Sequence, residues 1–150
     1  MAQADLEELM NFLIACALQF LAKSAEFYPF AASMTADGAI QANMSGTGEE
    51  HPKSDELISI LTDAFRQEAV EGKLKATGIC YDVRVILEGA KEKTDAICVW
   101  LEHVDGDAVE ILLPYRKSWT GKIKYDELRM TSAEHEVFRR PAAPHNPPMQ

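Results

Sequence analysis

The sequence predicts an α+β fold in which an antiparallel sheet of about five strands is combined with two helices. Two segments repeat apolar residues at spacings of three and four, as amphipathic helices do. Three later segments alternate apolar and polar residues, as half-buried strands do, and two Asp-Gly pairs mark hairpin turns. The resulting order of helix, strand, strand, helix, strand, strand, strand can form a sheet with the helices over one face.

The first predicted helix runs from about Leu6 to Ala25, with Asp5 or a neighbour near its N-terminus. Tyr28 ends the helical region, because the residue before a proline is pushed toward extended geometry. Charged side chains interrupt the helix, so it has neither an apolar span of about 20 residues nor the basic leader of a secretion signal. The apolar stripe consists of Leu6, Leu9, Met10, Leu13, Ala17, Phe20 and Leu21.

The first hairpin is predicted to turn at Ala36 to Gly38, where an Asp-Gly pair separates two short apolar runs. A three-residue loop with Gly38 in the left-handed conformation joins such strands. In that register the apolar residues share one face, and a shift by one residue would turn them away from it. The predicted opposite pairs are Met34 with Ile40, Ala32 with Ala42, and Phe30 with Met44.

The second helix is predicted to open at Ser54 or Asp55, and Gly72 lies where a C-terminal cap belongs. Three strands follow it. Beyond Tyr115 the pattern weakens, and one short strand or turn is predicted between Lys122 and Leu128. The alternating residues of the three strands are Ile79, Tyr81, Val83, Val85 and Leu87, then Ile97, Val99 and Leu101, then Val109, Ile111 and Leu113.

Residues 1–138 are predicted to form a single α+β domain, and the proline-rich stretch 139–150, RRPAAPHNPPMQ, to be a disordered tail. The formal net charge of −9 argues against a nucleic-acid surface, because phosphate binding depends on clustered Lys and Arg. From Ile111 to Gln150, however, 7 basic and 4 acidic residues give a net charge of +3. This basic segment either docks on the acidic body or on an acidic partner, or is solvated and has no role.

The three cysteines, Cys16, Cys80 and Cys98, are an odd number in a chain that shows no secretion signal. This favours a reducing compartment, and we expect a cytoplasmic protein. An apolar fraction of 47% in 150 residues is ample for one core without a disulfide or metal staple. The sequence contains no dinucleotide-binding, P-loop, zinc-protease, nucleophile-elbow or C-x-x-C motif, so we expect neither a cofactor nor a metal.

The stretch Leu101 to Ile111, LEHVDGDAVEI, combines an imidazole with carboxylates, as acid/base catalysts often do. A three-residue loop at Val104 to Gly106 explains the Asp-Gly pair as a turn and places His103 opposite Asp107. Such a carboxylate orients the imidazole and fixes its tautomer, as a general base requires. The alternative is a polar pair at a hairpin tip. Glu102 points to the opposite face from His103, so the two cannot share a metal ion without a bulge.

If the odd-numbered residues of the last strands face the core, the remaining residues form an outer sheet face of unusual composition. Its apolar part consists of Trp100, Leu112 and Cys98, and its polar rim of Asp82, Arg84, Glu102 and Glu110, a mixture typical of protein interfaces. Two alternatives compete: the first helix or the C-terminal segment covers this face, or the face is exposed and idle. If Trp100 lies under the first helix, the interface hypothesis fails. The predicted outer residues are Cys80, Asp82, Arg84, Cys98, Trp100, Glu102, Glu110 and Leu112.

Several short motifs resemble a group of small, uncharacterised bacterial proteins. The motifs are EFYPFA followed by ADG, then YDVR, DAI, LEH and LPYR, and they extend from Glu26 to Arg116. The resemblance implies a shared α+β domain and no activity. The order of elements is also similar to that of roadblock and profilin-like domains, a likeness of fold that carries no function by itself.

We expect a non-enzymatic domain that binds a protein partner or forms a homodimer through the outer face, and that binds neither nucleic acid nor membrane. Its acidic charge suits a basic partner, as in a toxin-neutralising immunity protein or a regulatory protein. The alternative is a small hydrolase or small-ligand-binding protein that uses His103 with Asp107 or Glu102.

Overall fold

A computed structural model describes residues 2–24, 26–43 and 53–138 of the chain. It confirms the α+β class and the predicted order of helix, strand, strand, helix and further strands. The sheet contains seven strands rather than about five. Met44 and the predicted tail, 139–150, lie outside the described residues. The elements are α1 (Ala2–Lys23), β1 (Phe30–Thr35), β2 (Ile40–Asn43), α2 (Ser54–Val70), β3 (Leu74–Ile86), β4 (Lys93–His103), β5 (Ala108–Lys117), β6 (Ile123–Tyr125) and β7 (Arg129–Ala133).

The strands form one antiparallel sheet in the order β2-β1-β3-β4-β5-β6, and β7 also pairs with β5. Both predicted hairpin registers are confirmed where the structure describes them. Gly38 has a φ of 94°, the left-handed conformation that the first hairpin loop requires. The confirmed pairs are Met34 with Ile40, Ala32 with Ala42, Leu101 with Val109, Val99 with Ile111, and Ile97 with Leu113.

The two helices lie on opposite faces of the sheet, a point that the order of elements in the sequence left open. Neighbouring residues of β1 show this arrangement, since Ala32 packs in the core beneath α1 and Ala31 packs in the core beneath α2. α1 contacts β1, β3 and β4, whereas α2 contacts β1 and β3. Five consecutive residues of β1 are buried, and a strand that is buried on both faces needs a layer on each side.

α1 begins at Ala2 rather than near Leu6, because contacts from the distant β4–β5 loop hold its first turn. The Asp5 carboxylate bonds the ring of His103, the last residue of β4. A Cβ built on Gly106 would lie 2.7 Å from the Cβ of Ala2, so the loop and the helix are in close contact. The apolar stripe therefore shows where α1 is buried, and tertiary contacts decide where it begins.

α1 crosses the sheet directly over Gly78 of β3. A Cβ at this position would lie 2.4 Å from Leu13 Cδ1 and 3.0 Å from Leu101 Cδ2, so glycine permits the close approach of helix and strand. The fully buried residues of α1 are Leu9, Leu13, Ala17 and Leu21.

Candidate functional site

The structure places Cys80, Asp82 and Arg84 on the α1 face and not on the outer face, which corrects the sequence prediction. Residues directly opposite each other in an antiparallel pair share a face. Cys80 lies opposite the buried core residue Val99, and Arg84 lies opposite Asp95, with 3.5 Å between Arg84 Nε and Asp95 Oδ1. The prediction assumed that odd-numbered residues face the core in all three strands, whereas β3 and β4 pair even numbers with odd ones.

The outer face includes Tyr81, Cys98, Trp100, Glu110 and Leu112, and we call this group the outer surface. At its border β7 places Thr131 opposite Glu110 and Arg129 opposite Leu112. In the sheet register Cys98 lies between Tyr81 and Leu112, and Trp100 lies opposite Glu110. Trp100 is half-buried and lies on the face away from α1. Burial of Trp100 under α1, which would exclude the interface hypothesis, is therefore not observed. Three predicted binding residues, Trp100, Glu110 and Leu112, thus share one face.

A groove of about 380 Å³ lies between the outer surface and α2. Tyr81 and Trp100 form part of its floor, and α2 forms one wall. Because α2 packs on β1 and β3, it covers only part of this side of the sheet. The groove is lined by Ile58, Ser59, Thr62, Asp63, Arg66, Ile79, Tyr81, Trp100, Glu102 and Glu136.

Glu102 lies on the outer face as predicted, but it is 0% exposed and is not a residue of an exposed rim. Its carboxylate accepts a hydrogen bond from Trp100 Nε1 at 2.9 Å. It also accepts hydrogen bonds from the backbone N–H groups of Glu136 (2.9 Å), Val137 (2.9 Å) and Phe138 (3.2 Å). The segment 134–138 is therefore held against the end of β4, where Val137 and Phe138 are buried. Segment 134–138 therefore covers part of the outer sheet face within the monomer, which was one of the alternatives that the sequence left open.

The groove is acidic. Arg66 lines the groove, and its guanidinium group already has partners within the protein. Nη1 lies 3.2 Å from Asp63 Oδ1, and Nε donates to the backbone oxygen of Glu136 at 2.5 Å. The lining residues thus include one cation, Arg66, and three acidic residues, Asp63, Glu102 and Glu136. Glu110 adds a carboxylate beside Trp100, and Arg129 of β7 adds a cation opposite Leu112, so four carboxylates stand against two guanidinium groups. The electrostatic field at the groove is thus suited to a positively charged binding partner.

His103 does not pair with the Asp107 side chain, although the two residues oppose each other as predicted, with the His103 N–H donating to the Asp107 carbonyl at 3.2 Å. The His103 ring is buried, and its Nε2 lies 2.9 Å from Asp5 Oδ2. Its Nδ1 accepts a hydrogen bond from the Asp105 N–H at 3.0 Å, so Nε2 carries the proton. Lys75 Nζ also lies 3.4 Å from Asp5 Oδ2.

A general base needs a ring nitrogen with a lone pair that can reach its substrate. Both nitrogens of His103 are occupied by the protein itself, and Asp107 is exposed on the loop. The hydrogen bond from His103, followed by the interaction with Lys75, lowers the pKa of Asp5 and keeps its carboxylate charged. The geometry therefore gives this cluster the role of tying α1 to the β4–β5 hairpin.

The cysteine side chains lie in surroundings that keep the thiols protonated. Burial raises the pKa of Cys98 to about 12 and raises the pKa values of Cys16 and Cys80 as well. A protonated thiol is a poor nucleophile and a poor metal ligand. Within residues 2–24, 26–43 and 53–138, no group of three His, Cys, Asp or Glu side chains is placed to hold a metal ion.

Asp82 lies at the α1 side of the sheet, where it accepts a hydrogen bond from the Tyr115 hydroxyl at 2.9 Å. Burial, aided by the nearby Asp95 and Glu26 carboxylates and opposed by the hydrogen bond from Tyr115, raises the pKa of Asp82 from 3.8 to about 6. The folded protein therefore holds this proton more tightly than the unfolded chain, and stability decreases as pH rises from about 4 to about 6.

Replacing Asp82 by asparagine is expected to stabilise the protein at pH 7.5 by about 1–2 kcal/mol, since no charge is then buried. This range allows for screening by solvent, which reduces the full effect of the pKa shift. Urea unfolding at pH 7.5 and at pH 4 measures the gain, which should vanish at pH 4. The exposed Asp126→Asn is the control. A gain of equal size at both pH values would contradict the assignment.

Comparisons with protein-family models, with curated proteins and with solved structures find no match for this chain. Among the described residues, neither helix combines the length and the apolar character that crossing a bilayer requires.

Proposed function

We propose that this protein is a non-enzymatic interaction domain that binds a protein partner through its outer surface. The observation that carries the proposal is that Tyr81 and Trp100 remain half-exposed on a sheet face that α2 covers only in part. Aromatic side chains on a concave surface with a polar border are typical anchors of protein interfaces.

Trp100 is held in place before any partner binds. Its indole N–H donates to the buried Glu102 carboxylate, which is itself fixed by three backbone N–H groups. A side chain that is already ordered loses less conformational entropy on binding, so more of its contact energy contributes to affinity. This arrangement favours Trp100 as the central contact of the interface.

The charge of the groove favours a basic partner over a second copy of this chain. A two-fold symmetric dimer would bring the same surface of two protomers together, and with it the carboxylates of Asp63 and Glu110. Like charges at an interface are unfavourable, whereas a basic surface would be attracted. An immunity or regulatory protein that neutralises a basic target would have this character.

The test is capture of partners from the source cells with the immobilised full chain, followed by affinity measurement with the purified partner. Trp100→Ala is expected to weaken binding about 30-fold, the effect of losing a central aromatic contact of about 2 kcal/mol. Trp119→Ala is the matched control, because Trp119 is 97% exposed in the β5–β6 loop, outside the outer surface. The affinity for a basic partner should also fall as salt is added.

Leu112→Lys is a second variant that leaves the hydrogen bonds of Trp100 and Glu102 intact, so its effect separates loss of binding from loss of folding. It adds a second cation beside Arg129 on the surface that would meet a basic partner, and binding should weaken. Equal binding by the Trp100→Ala and Trp119→Ala variants would refute the proposed surface. A dimer in light scattering that Trp100→Ala dissociates would identify the partner as a second copy.

A further inference from the structure

A second concave site lies at the end of β4 that is remote from Glu102. β4 and β5 pair with each other from Glu102 to Asp95 and then diverge. β4 continues along β3 as far as Lys93, opposite Ile86, whereas β5 continues along β6 as far as Lys117. A cleft of about 860 Å³ opens between the two hairpins. Its existence follows from the way in which the two strand pairs separate.

The cleft concentrates positive charge in an acidic protein. Its lining includes six basic and three acidic residues, a net charge of +3, whereas the whole chain has a net charge of −9. These six are a large share of the 15 basic residues in the chain. The basic residues are Arg84, Lys91, Lys93, Arg116, Lys117 and Lys124, and the acidic ones are Glu92, Asp95 and Asp126.

Two of the six cations have structural partners. Arg84 pairs with Asp95, and Lys117 Nζ donates to the backbone oxygens of Leu21 (2.7 Å) and Ser24 (3.0 Å) at the C-terminal end of α1. Within the part of the chain that the structure describes, the other four cations form no salt bridge. These are Lys91, Lys93, Arg116 and Lys124. Four cations around one cleft repel each other, and a bound anion would remove that repulsion.

We propose that this cleft binds a small ligand that carries two or more phosphate groups. Its volume lies within the range of about 300–1,000 Å³ that is usual for small-molecule sites. A single carboxylate would neutralise one of the four unpaired cations, whereas a polyphosphate brings several charges into the same volume. Arg116 can bind a phosphate through two N–H groups, and lysines act as point charges toward phosphate oxygens.

The cleft also offers a surface for an organic group attached to the phosphates. Tyr125 lies opposite Tyr115 in the β5–β6 pair, and both residues line the cleft. The Tyr115 hydroxyl is engaged by Asp82, which fixes that ring as part of the wall. Tyr125 is 47% exposed, so its ring can stack on a flat group such as a nucleobase. A nucleoside polyphosphate therefore matches both the charge and the shape of this site.

The cleft and the outer surface share no residue, so this proposal is independent of the proposed protein partner. The test is isothermal calorimetry of the full chain with tripolyphosphate and with ATP at low salt. We expect saturable binding of one ligand per chain. Combined Arg116→Glu and Lys124→Glu substitutions, both at exposed positions, should weaken the affinity at least tenfold. Adding salt should weaken it as well.

Lys53→Glu combined with Lys73→Glu is the matched control, because it makes the same change in net charge at exposed positions outside the cleft. Tyr125→Ala should weaken binding of ATP severalfold and leave binding of tripolyphosphate unchanged. Circular dichroism of each variant confirms folding. The proposal is overturned if neither ligand binds, or if the cleft variant binds as tightly as the control.

Vesicles that contain phosphatidylglycerol distinguish a free ligand from a lipid headgroup. We expect them to bind more weakly than free tripolyphosphate, since the cations line a cleft. If the chain sediments with the vesicles but binds neither free ligand, the cleft takes a headgroup at a membrane surface, and the proposal of a small soluble ligand is wrong.

Discussion

Replacing Glu102 by glutamine is expected to lower the free energy of unfolding by about 3 kcal/mol or more. The carboxylate is fully buried and accepts hydrogen bonds from the Trp100 indole and from the backbone N–H groups of 136–138. A glutamine amide keeps one acceptor oxygen and turns an NH2 group toward the same donors, so at least one buried N–H loses its partner. Urea unfolding followed by circular dichroism at neutral pH measures the change.

Glu110→Gln is the matched control, because Glu110 lies on the same face of the sheet, opposite Trp100, and undergoes the same chemical change. We expect it to alter stability by less than about 0.5 kcal/mol. Limited proteolysis gives a second readout, since release of 134–138 from Glu102 should expose that segment to cleavage. If Glu102→Gln lowers the free energy of unfolding by less than about 1 kcal/mol and does not increase proteolysis of 134–138, the backbone N–H groups must find other acceptors, which would contradict the prediction.

The second large effect is expected at Gly78, where alanine should destabilise the protein by about 2–3 kcal/mol. The new methyl group would lie 2.4 Å from Leu13 Cδ1, so either α1 moves away from the sheet or Leu13 leaves its preferred rotamer. Thermal and urea unfolding measure the loss, and circular dichroism reports whether helix content is retained.

A double-mutant cycle with Leu13→Ala supplies the control for this prediction. Leu13→Ala alone leaves a cavity under α1 and should cost about 2–5 kcal/mol. Because the methyl group of Gly78→Ala enters that cavity, the double variant should be at least about 1 kcal/mol more stable than the sum of the two losses predicts. Additive losses would mean that the strain at Gly78 arises from another contact.

The hairpins could be predicted because their determinants are local. An Asp-Gly pair and the alternation on each side fix the loop and the register together, as Gly38 and the β4–β5 hairpin show. The face that β3 presents could not be predicted in this way. It depends on the length of the 87–92 connection, which places Ile79 opposite Trp100 and so moves Arg84 to the α1 face.

The parts of the site that the sequence did not predict depend on residues far apart in the chain. His103 pairs with Asp5, 98 positions away, and Glu102 accepts hydrogen bonds from backbone groups that lie 34 to 36 positions further along the chain. The polar strand β7 shows no apolar alternation and forms because β5 offers it an edge. By contrast, Trp100, Glu110 and Leu112 were placed together correctly, because a local turn controls their register.

The cleft between the two hairpins, which we propose binds a polyphosphate, left only a partial signal in the sequence. The excess of basic residues after Ile111 includes Arg116, Lys117 and Lys124, but the same cleft draws on Lys91 and Lys93 from another hairpin. Net charge by segment cannot show that two hairpins end side by side. The order of strands in the sheet supplies that information.

α1 is attached to the sheet at both of its ends. Asp5 in its first turn bonds His103 and Lys75, and Lys117 binds the carbonyl groups of its last turn. Helix ends ordinarily fray, opening and closing far more often than the protein unfolds. In α1 that opening would break contacts with β3, β4 and β5, so the hydrogen-bonded amides of its end turns should exchange with solvent more slowly than those of an untethered helix end. We therefore expect the helix and the sheet to open together as one cooperative unit.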